Sequence, residues 1–436
     1  MGYEKGQEFI SEQDHAEAIA WRRQLHKYPQ PSWLEFYATG LVAEKLSAWG
    51  YEVQMGHDII DESKLLLLPS PEKLEEEYQR ALQAGIDEKY LLPAKGGLTG
   101  VVATLKGNQA GPVVAFRFDI DSNEVREALE TDHIPAKENF ASAIPGYAHM
   151  CGHDAHTATG LLLAKWFADN RDQIKGSVRF IFQPNEENLS GAAAMVDKGV
   201  VDGVDYLLGG HVGTSARKVG HIAINVRDIL AMARFEVTFT GRATHAAGSP
   251  QEGKNALLGA CAAVTNLHGI ARHAGGATTV NVGYIESGTA WNVVPEVAYF
   301  RFETRGASTE INEYMVNRAK EIIAGAAQMH DLTYEIKPAA ISFGGTNSPE
   351  LVALADKVAR QMPSVEEILP TMSLGGSEDV TVFMKRVQEQ GGQAIFVLFG
   401  TPTCGGHHNA KFDVDERVLK NAAEFYVAMY QEITHK

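Results

Sequence analysis

Apolar residues recur at helical spacing over 15–27, and the Tyr-Pro-Gln-Pro run at 28–31 stops them. Helical spacing resumes over 33–49, with Leu34, Tyr37, Leu41, Val42 and Leu46 on one side and Gly50 as its end. Residues 58–97 interrupt the pattern and read as an insertion. Ser70-Pro71 opens a helix there at Glu72, and its glutamates form a solvated face. Two β-rich apolar runs follow, at 100–105 and 113–118, with a hairpin-like break at 107–112 between them. Further strands are predicted at 177–182, 204–210 and 393–399, and helices at 157–169 and 192–198.

Between 228 and 340 the pattern changes. A strand at 231–240 is followed by a helix at 254–271, strands at 278–285 and 296–303, a helix at 310–330 and a strand at 332–337. That order, β-α-β-β-α-β, is ferredoxin-like. A chain of 436 residues is also too long for one ordinary core. The predicted architecture is therefore α/β: a larger domain of residues 1–227 plus 341–436 around a central, mostly parallel sheet, interrupted by a smaller ferredoxin-like α+β domain at 228–340.

Candidate chemistry is densest at residues 149–156, His-Met-Cys-Gly-His-Asp-Ala-His. Cys151 and His153 stand at i and i+2, so they can face one cavity only from an extended or turning backbone, which Gly152 permits. Asp154 is expected to brace the His153 imidazole and fix its tautomer. Asp119, the Glu186-Glu187 pair, His211 and the His407-His408 pair each follow an apolar strand. Ligands of α/β sheets gather outside the carboxyl ends of the strands, so these distant groups should converge. One such histidine alone is ordinarily structural, and one glutamate pair is ordinarily a solvated face. The joint arrival of all four reverses that expectation.

Cys151, His153, one glutamate of the pair, His211 and a histidine near 408 are five donors, more than one tetrahedral site takes. Two divalent ions sharing a bridging group are expected, zinc by the thiolate and manganese by the hard carboxylates. Adjacent glutamates can divide the labour, one binding metal and its neighbour moving protons. A histidine could donate to the oxyanion.

Charge and composition narrow the partners. A net charge of −16 argues against nucleic acid, though a few local Arg or Lys residues could still hold an anionic substrate. The three cysteines are odd in number and far apart, so no disulfide framework and a reducing, cytoplasmic location are expected. Residues 1–13 are polar with no signal-peptide core, and the leucine run at 65–68 is too short to span a membrane.

The segments RFDID, HMCGHDAH, FQPNEE, GRATHAA, WNVVPE, ETRG, GGSED and HHNAKFDVDE, spread over residues 117–416, resemble the M20 metallopeptidase clan in the order the family shows. They are most similar to its bacterial and plant amidohydrolase branch, which hydrolyses N-acyl and N-aroyl amino acids. The resemblance implies metal ligands Cys151, His153, Glu187, His211 and His408, the last because the family ligand precedes an aromatic, here Phe412, by four residues. It implies Glu186 as general base, with Asp119 and Asp121 supporting the site from behind. His245 would be an oxyanion donor reaching a partner's active site, and Asn292 and Arg305 would lie near the bound carboxylate. The larger domain would be the metal-binding catalytic one and the smaller a dimerisation or lid domain.

A metal-dependent amidohydrolase with two manganese or zinc ions is thus the expected function. 4-Aminobenzoyl-glutamate is the leading substrate, with indole-3-acetyl-aspartate, another N-acyl amino acid or a dipeptide as the alternative. A homodimer, or a heterodimer with a related B-type subunit, is implied. Where the family reads PAEEG this chain has Pro184-Asn185-Glu186-Glu187-Asn188, and no arginine follows the pair in Leu189-Ser190-Gly191. A protein that works only with a paralogous partner is a second reading, but a silent member of such a pair has no need of the two glutamates. A purely structural zinc protein fits less well, since structural ligands usually cluster in sequence.

Overall fold

The computed structural model describes residues 3–435. The chain forms two compact units. One contains the residues up to Arg227, Thr346–Leu374 and those from Asp379 on; the other contains Asp228–Gly345 and Gly375–Glu378.

The larger unit is built on an eight-stranded mixed sheet. Its centre is four parallel strands in the order Lys175–Gln183, Gln109–Asp119, Tyr206–Val212 and Gln393–Phe399. Val114, Ala115, Phe116 and Phe118 are all buried, so the Gln109–Asp119 strand is covered on both faces, as parallel strands require. Phe116 and Phe118 meet Tyr426 of the Arg417–His435 helix, and Phe116 also meets Phe167 of the His153–Asp169 helix. On the opposite face Gly209 lies against Val380 of the Val380–Glu389 helix.

The structure corrects the hairpin-like reading of residues 100–118. The Val101–Lys106 strand does not pair with Gln109–Asp119; Lys175–Gln183 lies between them, antiparallel to the first and parallel to the second. A strand buried on both faces needs a neighbour on each side, and the crossover supplies one. Gly107 N–H donates to the Gly176 carbonyl at 2.9 Å, which turns the intervening segment towards that strand.

Two helices begin elsewhere than the periodicity suggests. The one expected at 33–49 is Phe36–Ala48, because Trp33 is left-handed (φ 63°) and its N–H is taken by the Glu35 carboxylate. The one expected at 157–169 starts at His153, which places half of the histidine-rich motif on its first turn. The insertion helix Pro71–Gln83 begins as expected, with Ser70 Oγ accepting from Lys73 N–H. Its Tyr78 packs edge-on against Phe36, and the Gln30 amide donates to the Glu77 carbonyl and carboxylate at 3.0 Å. The insertion is thereby tied to the segment that precedes the second helix.

The smaller unit is an antiparallel sheet in the order Thr333–Ser342, Ala231–Thr240, Val297–Gly306, Thr278–Ser287. Helices Ala256–His268 and Thr309–Met329 are capped by Asn255 and Ser308. Alternation along the strands explains why one face is dry. Val237, Phe239, Ala298, Phe300 and Phe302 pack on Ala260, Ala263, Met315 and Ile323 of the helices. Arg234, Glu236, Arg301, Glu303 and Arg305 occupy the alternate positions. Among the described residues, no helix is long and apolar enough to cross a membrane.

Candidate metal centre

The carboxyl ends of the four central strands supply the site. Asp119 ends one strand, Gln183 ends the next and leads into the glutamate pair, His211 lies near the end of the third, and Phe399 leads towards His407 and His408. Gly152, at φ 95°, turns the motif from the chain into the helix. A Cβ there would come 2.6 Å from Val212 Cγ2, so no other residue fits this turn without displacement.

Cys151 is common to two triads whose donor atoms lie within 4.8 Å of one another: Cys151 with His153 and Glu187, and Cys151 with His211 and His407. Cys151 Sγ is 3.4 Å from His211 Nε2. His153 Nε2 and Glu187 Oε1 are both buried without a hydrogen-bond partner and stand 3.9 Å apart. Buried polar atoms rarely go unpaired. Two such atoms facing one another beside a thiol fit a bound cation, and the residues present suit one. His408 Nε2 is 3.3 Å from Glu187 Oε2, from a left-handed backbone (φ 60°).

The ring nitrogens show which histidines are available. His211 Nδ1 donates to the Val212 carbonyl at 2.8 Å, which leaves Nε2 as the lone-pair side towards Cys151. Burial, then His156 and His407, hold His211 well below its ordinary pKa, so it stays neutral as a ligand must. His156 has both nitrogens engaged: Nδ1 donates to Asp119 at 2.5 Å, and Nε2 accepts from Val212 N–H at 3.0 Å. It is a brace rather than a ligand. Its spacing of three residues from His153 on one helix face is its only signal in the sequence.

Charge around His153 favours a cation at its open nitrogen. Burial opposes protonation, but Asp119 and Asp121 overrule it and hold the imidazole up at about 10. Burial likewise opposes ionisation of Glu187, yet His408 and His153 hold it down at about 2. Asp119, also buried, is kept well below the carboxylate range by His153, His156 and Arg117.

The structure overturns the expected role of Asp154. His153 Nδ1 is oriented instead by Asp121, through its carbonyl at 3.0 Å and its carboxylate at 3.2 Å. The helix turn carries Asp154 to the other side, where Arg22 Nε and His26 Nδ1 each donate to it at 2.8 Å. Asp121 also accepts from Glu187 N–H at 3.0 Å, so one carboxylate positions two of the candidate ligands. Asp121→Ala is expected to weaken metal retention about 10–100-fold, as read by metal analysis after graded chelation. Retention equal to the parent protein would show that the backbone carbonyl alone suffices.

Beneath the motif lies a buried ionic network. Arg22 reaches Asp154 at 2.8 Å and Asp413 at 2.6 Å, and His26 bridges Asp154 and Glu127 at 2.8 and 2.9 Å. Burial lowers the basicity of His26, but its two carboxylates raise it to about 9, above the ordinary 6.5. A group whose pKa is raised on folding stabilises the fold below its unfolded value and loses that contribution as pH climbs through the folded one. Stability should therefore fall between about 6.5 and 9 by an increment that His26→Gln removes, as read from the melting temperature across that range. Identical alkaline slopes in both proteins would contradict it.

The glutamate turn has a further support absent from the sequence reading. Glu35 is fully buried and accepts from Trp33 N–H at 3.0 Å, Asn185 N–H at 2.8 Å and Thr99 Oγ at 2.6 Å. Burial and Asp121 push its carboxyl up to about 8. Asn185 is left-handed (φ 53°), a conformation asparagine tolerates, and its Nδ2 donates to Ser190 Oγ at 2.6 Å. The polar departure Asn185 is thus paired with Ser190 in the same turn. Glu186 emerges from that turn buried, its Oε2 3.9 Å from His153 Nε2.

In the smaller unit, His245 Nδ1 accepts from Ala247 N–H at 3.2 Å and Gly248 N–H at 3.0 Å. Its Nε2 is thereby left as the N–H donor of a neutral ring. Asn292 stands beside it, because its carbonyl accepts from Ala246 N–H at 2.9 Å. Arg305 does not join them. Val297 pairs with Thr240 at the end from which the His245 loop leaves, while Arg305 pairs with Met232. Eight residues of strand separate the two ends, roughly 27 Å. Arg305 instead pairs with Glu303 at 2.9 Å, and Glu303 also meets Arg234 at 3.3 Å.

Residues 115–432 match the family model described as Peptidase family M20/M25/M40. The chain is 42% identical over 409 residues to the indole-3-acetyl-aspartic acid hydrolase of Enterobacter agglomerans, covering 94% of each chain. It is also 42% identical over 405 residues to the A-type subunit of the p-aminobenzoyl-glutamate hydrolase of Escherichia coli K12, covering 93% of each. An aminobenzoyl-glutamate utilization protein of Klebsiella pneumoniae shares the fold with TM-score 0.81 and 36% identity over 96% of both chains. A Bacillus subtilis protein described as a dinuclear metal-binding M20 peptidase shares it with TM-score 0.70 and 23% identity, over 98% of this chain and 99% of that one. With those matches and the two cysteine-centred triads in place, the chain belongs to peptidase family M20/M25/M40 and is a metal-dependent hydrolase of C–N amide bonds.

Proposed function

We propose that this hydrolase cleaves N-aroyl amino acids, 4-aminobenzoyl-glutamate first among them, releasing 4-aminobenzoate and glutamate. The observation that carries the reaction is the buried Glu186-Glu187 turn, with Glu187 at the His153–Cys151 triad and Glu186 beside it. What supports the substrate is the 42% identity to the A-type subunit of p-aminobenzoyl-glutamate hydrolase. Equal identity to the indole-3-acetyl-aspartic acid hydrolase supports the second reading. Both named substrates join an aromatic acyl group to an acidic amino acid.

Cys151, His153, Glu187, His211 and His408 would hold two divalent cations, manganese or zinc. Such ions polarise an amide carbonyl and lower the pKa of water. Glu186 takes the proton of the attacking water and returns it to the leaving amine nitrogen. Asp121 holds His153 and Glu187 in place, and Asp119 holds His156. His245, a neutral N–H donor, stabilises the oxyanion, and Asn292 and Arg305 bind substrate polar groups. Because His245 and Asn292 lie at the opposite end of the sheet from Arg305, one small substrate meets all three only if two chains contribute. That division fits a dimer, either of this chain or with a related B-type subunit, with the smaller unit as dimerisation and lid domain.

The test is hydrolysis of 4-aminobenzoyl-glutamate, indole-3-acetyl-aspartate and simple N-acyl-aspartates by the purified, metal-reconstituted chain. Release of 4-aminobenzoate supports the first reading, and turnover of the indole conjugate alone moves the substrate. Silence on all of them by the chain alone, reversed by a paralogous partner, would assign activity to the heterodimer.

A further inference from the structure

We infer that Arg234 sets the preference for an acidic amino acid in the amide that is cleaved, by holding its side-chain carboxylate while Arg305 holds the α-carboxylate. In the proposed reaction, on which this assignment rests, Arg305 grips a group common to every N-acyl amino acid. Arg305 alone therefore cannot tell glutamate from glutamine. A second cation beside it can.

The strand register puts that cation in place. Arg305 and Glu303 stand two residues apart on the Val297–Gly306 strand and share a face, and Arg234 pairs directly with Glu303 from the neighbouring strand. Glu303 Oε1 accepts from Arg305 Nε at 2.9 Å, and Oε2 lies 3.4 Å from Arg305 Nη2 and 3.3 Å from Arg234 Nε. One carboxylate thus sets two guanidinium groups side by side. Burial works against ionisation of Glu303, but Arg305 and then Arg234 hold it below its ordinary pKa. The group carries two positive charges against one negative.

Elsewhere the same face is balanced. Arg301 pairs with Glu236 at 3.2 Å and Lys337 with Glu335 at 3.2 Å, while Glu286 takes the Tyr284 hydroxyl at 2.6 Å. Around the two arginines the register places Met232, Thr279, Asn281 and Ala340, none of them charged. Among the described residues Glu303 engages only Nε of Arg234, so both of its Nη groups remain to donate. The Arg234 and Arg305 side chains are 34% and 26% exposed, so a ligand can reach both. A cross-strand ion pair kept for stability alone needs one arginine, not two. Two guanidinium forks beside a single carboxylate suit a ligand that brings two carboxylates of its own. Glutamate and aspartate, the amino acids of the two conjugates, are such ligands.

The metal-loaded full chain and its Arg234→Gln and Arg234→Glu variants are titrated calorimetrically with glutamate and aspartate. Parallel titrations use glutamine and asparagine, which have nearly the same shape without the second charge. The parent is expected to bind at least one of the acids about tenfold or more tightly than its amide. Arg234→Gln should remove that margin and leave binding of the amides as in the parent, and Arg234→Glu should turn the preference towards the amides. Equal binding of acid and amide by the parent, no binding of either acid, or a margin that survives in Arg234→Gln would overturn the inference. So would a joint loss of acids and amides in both variants, which would mark Arg234 as structural. Binding is read without turnover, so a chain that hydrolyses neither conjugate but keeps the Arg234-dependent margin would sink the proposed substrates and leave this role standing.

Discussion

Glutamine at position 186 is expected to lower kcat by about 10²–10⁴-fold while the purified protein keeps its full metal content. Glutamine preserves the size of the side chain and most of its hydrogen-bonding capacity, but it cannot take a proton from water. Glu186 is 7% exposed, so bulk solvent cannot readily replace it as a base. Its neighbour gives the contrasting outcome. Glu187, held ionised at about 2 and aimed at His153 and His408, should lose metal when changed to glutamine. The comparison separates a proton carrier from a ligand, because only the second variant should regain activity in excess manganese or zinc. A loss of less than tenfold in Glu186→Gln with metal retained would remove the assigned role.

The motif at 149–156 can be read without coordinates because its donors are adjacent, and adjacency survives in a linear sequence. The strand-end rule locates Asp119, the glutamate pair, His211 and the terminal histidines for a similar reason: hydrophobic runs mark the strands, and polarity marks where they stop. What stays hidden depends on pairing over long separations. Arg22 and His26 reach Asp154 across 132 and 128 residues, and no periodicity records such a contact. Sequence adjacency therefore assigns Asp154 to His153, although a helix turn carries adjacent side chains to different sides. Sheet order is hidden as well, since the burial of residues 113–118 on both faces reads as a strand but does not say which strands flank it. His407 and His408 show a subtler limit. The spacing to Phe412 favours His408, while the fold brings His407 to Cys151 and His211 and His408 to Glu187.

Alanine at position 245 is expected to cost about 10²–10³-fold in kcat, the usual cost of one oxyanion donor. Two backbone N–H groups, of Ala247 and Gly248, point at Nδ1, so the ring is presented with its Nε2 proton outward, as a neutral donor. A closed two-fold assembly would let that donor serve the other chain's metal centre. The consequence is an experiment whose result a merely structural histidine would not produce. Glu186→Gln and His245→Ala chains are separately near-inactive. In a hybrid dimer, one site would combine both defects and the other would have neither, provided that His245 acts across the dimer. Random reassortment of equal amounts should then restore about a quarter of the parent activity, since half the dimers are hybrids with one intact site each. If His245 instead served its own chain, every site in the hybrid would keep one defect. The mixture would then stay as inactive as its components, and the donor would have to be sought among the groups of the larger unit.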